Sequence, residues 1–133
     1  MDYSKVKSAI AAAEAKAKEL SANITVAIVD EYGCLIALNR MEDAIKVSPQ
    51  FATAKAYSAG TIGVSTTDLA KYAVEGQPYF GLTSILGGKI TTIPGGVPVM
   101  SGGKLVGGVG VGGSQDVSQD EECAKAAASI LSS

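Results

Sequence analysis

The sequence predicts an α+β domain, with helices flanking a mainly antiparallel sheet and elements in the order α-β-β-α-α-β-β-β-α. Two observations predict this class. Some segments repeat apolar residues every three or four positions, as a helix does, and others are short β-forming runs bounded by turn residues. Short turns join strands into hairpins, and hairpins make a sheet antiparallel. The chain is predicted to form one domain spanning residues 1–133.

The first half of the chain predicts a helix, a hairpin and a second helix. Apolar residues recur at helical spacing over residues 3–20, and two β-forming runs joined by a turn occupy residues 24–39. The second helix is predicted to start with Ser48 as N-cap and Pro49 in its first turn. It is predicted to end at Gly60, as a left-handed terminator.

The second half predicts a short helix, a glycine-rich set of hairpins and a final helix. The helices are expected at Leu69 to Ala73 and at Ser118 to Ser129. Between them, three Gly-Gly pairs are predicted to be hairpin turns, because glycine takes positive φ without steric cost. The pairs are residues 87–88, 95–96 and 102–103, and the runs they delimit are residues 89–93, 97–100 and 105 onwards.

The last β-forming run has one face made almost only of glycine. Side chains alternate along a strand, so Val109 and Val111 share one face while Gly108, Gly110 and Gly112 leave the other nearly bare. A bare face allows close approach to the backbone. The approaching group could be a ligand, a neighbouring subunit or the C-terminal helix.

Composition narrows the class of function. The net charge of −2, without a cluster of Lys or Arg, gives no basis for nucleic-acid binding. The apolar run from Ile24 to Val29 is too short to span a bilayer, and the N-terminus lacks the apolar core of a signal peptide. With only two cysteines, a cytoplasmic, reduced protein is expected. The absence of histidine excludes Ser-His and Cys-His catalysis, and no metal site is predicted.

Six segments in the same order resemble one known family. They are VAIVDEYGCLIALNRM, ATAKAYSAG, GQPYFGL, IPGGVPV, GGKLVGGVGVGG and SQDEECAKAA, beginning at residues 26, 52, 76, 93, 102 and 118. Together they resemble the GlcG/HbpS-type family (haem-degrading domain, DUF336), which includes the C-terminal domain of PduO-type adenosyltransferases. The resemblance covers essentially the whole chain.

The resemblance implies a fold and a range of roles. The fold would be a five-stranded antiparallel sheet flanked by helices, profilin-like in outline, assembled into dimers or multiples of dimers. The ligand would be a tetrapyrrole (haem or a corrinoid) or a small carboxylate such as a glycolate-like acid, and the setting glycolate, diol or glycerol metabolism. Relatives that bind haem use a histidine, which this sequence lacks. An axial ligand would therefore have to be Tyr, Cys, Met or Lys.

The candidate site joins the glycine-rich turn to one lysine. Successive N–H groups at Pro94-Gly95-Gly96 could form a nest for an anion, or the segment could be a plain hairpin turn. Lys55, between alanines on a helix, could hold an acidic ligand or act as a base, or it could be a solvated surface lysine. Gly108 and Gly110 would form the floor of the cavity.

Two residues at the end of the second strand complete the set of candidate site residues. Met41 is predicted to fill a gap near the pocket. Arg40 could clamp a carboxylate or form a salt bridge at the rim.

Three functions remain open from the sequence. The first is a small-ligand-binding accessory protein that forms a homo-oligomer and catalyses little or nothing. The second is an enzyme acting on a small carboxylic or hydroxy acid with Lys55 as acid/base. The third is a structural subunit whose glycine face only packs against a partner.

Overall fold

The computed structural model describes residues 1–132 and contains one sheet with helices on both faces. The strands are β1 (Thr25–Asp30), β2 (Leu35–Arg40), β3 (Gly96–Ser101) and β4 (Lys104–Gly112). The α-helices are α1 (Val6–Glu19), α2 (Ser48–Ile62), α3 (Thr66–Ala73) and α4 (Val117–Leu131). Short 3₁₀ turns occupy Tyr3–Lys5, Leu82–Ser84 and Leu86–Gly88.

Every strand pair in the sheet is antiparallel, and the strand order is β2-β1-β4-β3. The α+β class and the β1–β2 hairpin are thus confirmed. Gly102 and Gly103 have φ values of 58° and 79° and join β3 to β4, so the hairpin turn predicted there is also confirmed.

The core lies mainly between the sheet and the pair α1 and α4. Val26 and Ile28 of β1, and Val109 and Val111 of β4, are fully buried in this cluster with small residues of the two helices. Most of the buried residues of α1 and α4 are alanines, and these small side chains let the two helices pack closely in this layer. The opposite face of the sheet is covered by α2, where Ala27 belongs to a second buried cluster.

The bare face of β4 accepts helix α2. A Cβ atom added to Gly110 would lie 2.0 Å from the carbonyl oxygen of Ala52, and one added to Gly108 would lie 2.5 Å from the nitrogen of Gly60. These distances are far below van der Waals contact, so only glycine allows this approach. The group that the glycine face accepts is α2, which leaves no space for a ligand over Gly108 and Gly110.

The sheet has four strands in residues 1–132, and the fifth expected strand is not found. Residues 89–93, predicted as a strand, are irregular and follow a 3₁₀ turn that contains Gly87 and Gly88. Gly96 is the first residue of β3 and follows an irregular segment, so the hairpin turn predicted at residues 95–96 was wrong. The β-forming composition of residues 89–93 is not sufficient for a strand, because no neighbouring strand pairs with them.

Two predicted helix ends were also wrong. Helix α2 continues through Gly60, which is buried against β4, and ends at Gly63, whose φ of 89° makes it the left-handed cap. Ser48 lies inside the helix, and its hydroxyl is hydrogen-bonded to Thr25 Oγ1 at 2.7 Å. Helix α4 is capped by Asp116, whose carboxylate accepts from the Ser118 N–H.

Membrane insertion has no support in the helices. Over residues 1–132, none of them combines the length and the apolar character needed to cross a bilayer.

Candidate functional site

Lys55 forms a buried ion pair at the end of the sheet. Its Nζ atom lies 3.2 Å from Asp120 Oδ2 and donates to the Val111 carbonyl oxygen at 2.8 Å. Both charged side chains are only 2% exposed. Because α2 and α4 lie on opposite faces of the sheet, the pair connects the two helical layers.

Three local features put the ammonium group in this place. Lys55 lies on the face of α2 that packs on β4, between the buried residues Ala52 and Ala56. Gly95 lacks a side chain where the lysine passes, since a Cβ there would lie 2.9 Å from Nζ. Asp120, in the first turn of α4, uses its second oxygen to accept from the Ser114 N–H at 3.0 Å.

Burial shifts both members of the pair towards their neutral forms. It lowers the pKa of the Lys55 ammonium, against the attraction of Asp120, and raises the pKa of the Asp120 carboxyl, against the attraction of Lys55. The hydrogen bonds from Lys55 and Ser114 satisfy both carboxylate oxygens. The pair therefore has the features of a structural contact: it is buried, both carboxylate oxygens accept hydrogen bonds, and the ammonium donates to two internal acceptors.

The glycine-rich segment before β3 is also committed to internal contacts. The Gly96 N–H donates to Thr66 Oγ1 at 3.0 Å, and the Gly95 carbonyl oxygen accepts from the Val111 N–H at 2.9 Å. Gly96 packs directly on the backbone of α2, because a Cβ there would lie 2.3 Å from the Lys55 carbonyl oxygen. Pro94 leads into this packed segment. The predicted residues are therefore brought together, as a close-packed junction in which the Gly96 N–H is already used.

Met41 and Arg40 lie apart from this junction. The Met41 sulfur accepts from the Ile24 N–H at 3.4 Å, and the side chain packs against the main core, which fits the predicted gap-filling role. The Arg40 guanidinium donates to the Ala44 carbonyl oxygen at 2.7 Å, so it stabilises the loop that follows β2.

A more open site lies beside α3. It is an apolar cleft of about 430 Å³, within the usual range for small-molecule pockets. Tyr72 of α3 and Tyr79 line it, and their side chains are about half exposed, at 51% and 58%. The Tyr79 N–H donates to the Tyr72 carbonyl oxygen at 2.9 Å, which holds the two residues together. We call this the tyrosine cleft; its other lining residues are Ile62, Val64, Leu69, Leu82 and Ile90.

The largest neighbouring groove has a different chemistry. It lies between α3 and α4 beside β3 and has a volume of about 830 Å³. Asp68, Glu121 and Lys125 line it, which gives a charged wall with one excess negative charge. Such a lining does not favour a small carboxylate or an apolar macrocycle.

Sequence reasoning missed Asp120, Tyr72 and Tyr79 as site residues. Asp120 belongs to a first-turn acidic cluster that the helix dipole alone explains, and its partner is 65 positions away. The tyrosines stand seven residues apart across a turn, so no periodicity pairs them. The available indication is chemical, because a chain without histidine leaves tyrosine as one of the few side chains that can bind haem iron.

Comparison with known proteins settles the family. The model of the haem-degrading protein HbpS-like family matches residues 1–129. The chain belongs to this family. The predicted resemblance is therefore confirmed, and relatives of both the PduO and GlcG kinds are found.

The corrinoid adenosyltransferase PduO of Salmonella typhimurium is 35% identical over 90% of this chain, but the match spans only 35% of PduO. Protein GlcG of Escherichia coli K12 is 32% identical over 77% of this chain and 73% of GlcG. A crystal structure of a PduOC:heme complex superposes with a TM-score of 0.92 and 32% identity. The match covers 98% of this chain and 94% of that one. The fold of this chain is thus the fold of a domain that has been crystallised with haem.

Proposed function

We propose that this protein is a tetrapyrrole-binding accessory domain that acts in the cytoplasm. The similarity to the PduOC:heme complex over 98% of the chain is the observation that carries the proposal. The relationships to PduO and GlcG support a role beside corrinoid-dependent diol or glycerol metabolism, or beside glycolate metabolism. Bound haem would supply a coloured, redox-active iron centre.

The residues of this chain fit such a ligand in one respect and differ in another. A tetrapyrrole needs an apolar surface for its ring, and the tyrosine cleft offers one. Haem iron also needs an axial ligand, and without histidine the nitrogen ligand most common in haem proteins is absent. Tyrosine phenolate is an established alternative ligand to haem iron, and two phenols line the cleft.

The alternative, an enzyme with Lys55 as acid/base, has less support. A catalytic acid or base must reach the proton that it transfers, at hydrogen-bond distance or through one water. Lys55 is 1% exposed and already bonded to Asp120 and Val111. Four well-formed clefts within residues 1–132 are lined by other residues, and Lys55, Gly95 and Gly96 line none of these four.

A homo-oligomer, a dimer or a multiple of dimers, is part of the proposal. Helix α2 carries no charged residue other than the buried Lys55, and Phe51 in its first turn is 40% exposed. Other large apolar side chains are also exposed, including Phe80 and Ile85. An uncharged, partly apolar face suits contact between identical subunits, because like charges do not oppose each other there. Sedimentation at micromolar concentration tests this part: a single monomer species contradicts it.

Titration of the purified apoprotein with hemin, and separately with cobalamin, tests the ligand class. The readout is absorbance at fixed protein concentration, with the same additions to buffer as control. We expect a saturable shift of the Soret or corrin bands at micromolar affinity or better. A linear, unsaturable response to both ligands would contradict tetrapyrrole binding and make small carboxylates the next ligands to test.

A further inference from the structure

We infer that the tyrosine cleft is the haem site of this chain and that the phenolate of Tyr72 or Tyr79 is the axial ligand to the ferric iron. The inference rests on the proposed function and adds its location and ligand chemistry. It goes beyond the family relationship, because membership of the family assigns haem to no particular residue of this chain.

The first argument compares several side chains that could coordinate iron. Lys55 is held in its buried ion pair. Burial raises the pKa of the Cys123 thiol to about 11, which disfavours the thiolate that would bind a metal. Met41 is packed against the core with its sulfur accepting a backbone hydrogen bond.

Four other candidates differ in their surroundings. Met100 is 42% exposed, but it lies in the groove with the charged wall, where a large apolar ring would desolvate carboxylates. Tyr57 lies beneath Lys89, whose ammonium is 5.7 Å from the ring centroid, and it packs against Gly33. Tyr72 and Tyr79 instead share a cleft whose other lining residues are all aliphatic.

The second argument is the chemistry of the cleft. Five aliphatic side chains provide a surface on which a flat macrocycle can bury one face. The phenols remain half exposed, so a hydroxyl can reach an entering ligand without unfolding of the domain. Phenolate is a hard, anionic oxygen donor that suits ferric iron, as it does in catalase.

The backbone supports this arrangement from two sides. Tyr72 lies on helix α3, which is anchored by buried Leu69 and capped by Ser65, whose hydroxyl accepts from the Asp68 N–H. Tyr79 lies in the irregular segment that follows, and its N–H donates to the Tyr72 carbonyl oxygen. The two phenols are thus attached to one locally fixed unit.

Hemin titration of four proteins tests the inference: the wild type, Tyr72→Phe, Tyr79→Phe and the double variant. The matched control is Tyr32→Phe, which removes the hydroxyl of a tyrosine that is 77% exposed in the β1–β2 turn, outside the cleft. We expect one single variant and the double variant to bind hemin about tenfold more weakly or worse, and to lose the tyrosinate-to-iron charge-transfer absorbance. The control should bind like the wild type.

A second variant tests the cleft independently of the iron ligand. Ile62 is 40% exposed at the rim, so Ile62→Glu should leave the fold intact while placing a charge where the ring would lie. It should also weaken hemin binding about tenfold, with unchanged circular dichroism.

The possible failures are distinguishable. Saturable hemin binding that is unaffected in all the tyrosine variants and in Ile62→Glu would overturn the site and leave the proposed function standing. Unchanged hemin binding together with altered sedimentation of these variants would assign the cleft to contact between subunits and would equally overturn it. Absence of saturable binding by the wild type would refute the proposed haem function itself.

Discussion

Replacement of Lys55 by methionine should destabilise the fold strongly. Methionine is similar in length and fills the same space, but it leaves the Asp120 carboxylate in a site that is 1% exposed without its cation. Removal of one partner of a buried ion pair typically costs about 3–5 kcal/mol, because the remaining charge is uncompensated. Urea unfolding at pH 7 should show a decrease of that size in the free energy of unfolding.

The loss of stability in Lys55→Met should depend on pH in a defined direction. Burial raises the pKa of Asp120 above its ordinary value of 3.8, and Lys55 opposes that rise. In Lys55→Met the opposing interaction is gone, so the folded-state pKa rises further. A raised carboxyl pKa contributes stability that is fully present below the unfolded pKa and is lost as pH rises through the folded pKa. The difference in the free energy of unfolding between Lys55→Met and the wild type should therefore become smaller as pH falls from 7 towards 4.

Two further variants serve as controls for the Lys55→Met experiment. Lys71→Met breaks the exposed pair with Asp68, whose side chains are 70% and 57% exposed, and should leave the unfolding midpoint unchanged. Lys55→Met combined with Asp120→Asn removes both charges and should recover part of the lost stability. A Lys55→Met protein as stable as the wild type at pH 7 would refute the structural role assigned to this lysine.

Two further predictions follow from packing and burial. Gly110→Ala should lower the free energy of unfolding by about 1–3 kcal/mol or more in urea titrations, because its Cβ would lie 2.0 Å from the Ala52 carbonyl oxygen. Gly76→Ala, where nothing lies within 4 Å but φ is 88°, carries only the backbone strain of a left-handed alanine and should cost less than the clash at Gly110; equal losses would contradict the packing argument. In the native protein a thiol reagent at pH 8 should modify the exposed Cys34 and spare the buried Cys123, and denaturant should expose both. Rapid native modification of both thiols would show that α4 does not protect its cysteine.

Much of the fold could be predicted because its signals are local. Helical spacing identified α1, and the Gly102-Gly103 pair identified the β3–β4 hairpin, since each depends on residues that are neighbours in the chain. Residues 89–93 were predicted incorrectly because a strand needs a partner, and pairing is decided far along the sequence. Gly60 was taken for a helix end because its close contact with β4 is a tertiary feature.

The candidate site was harder to predict for the same reason. Lys55 was identified, and its proximity to Gly95 and Gly96 was anticipated, but its burial depends on Asp120 on another helix. A lysine among alanines gives no sign of whether it meets solvent, ligand or carboxylate. The tyrosine cleft needs α3 and the segment after it to fold over the end of α2, which no sequence pattern indicated.

One hemin titration, carried out in parallel on three proteins, tests the central claim that the ligand binds at the tyrosine cleft and that Lys55 is structural. The proteins are the wild type, the Tyr72→Phe/Tyr79→Phe variant and the Lys55→Met/Asp120→Asn variant. We predict a saturable Soret shift in the wild type, the same affinity when the ion pair is neutralised, and about tenfold weaker binding or worse without the two phenols. Loss of binding on neutralisation of Lys55, with full binding by the tyrosine variant, would contradict the account.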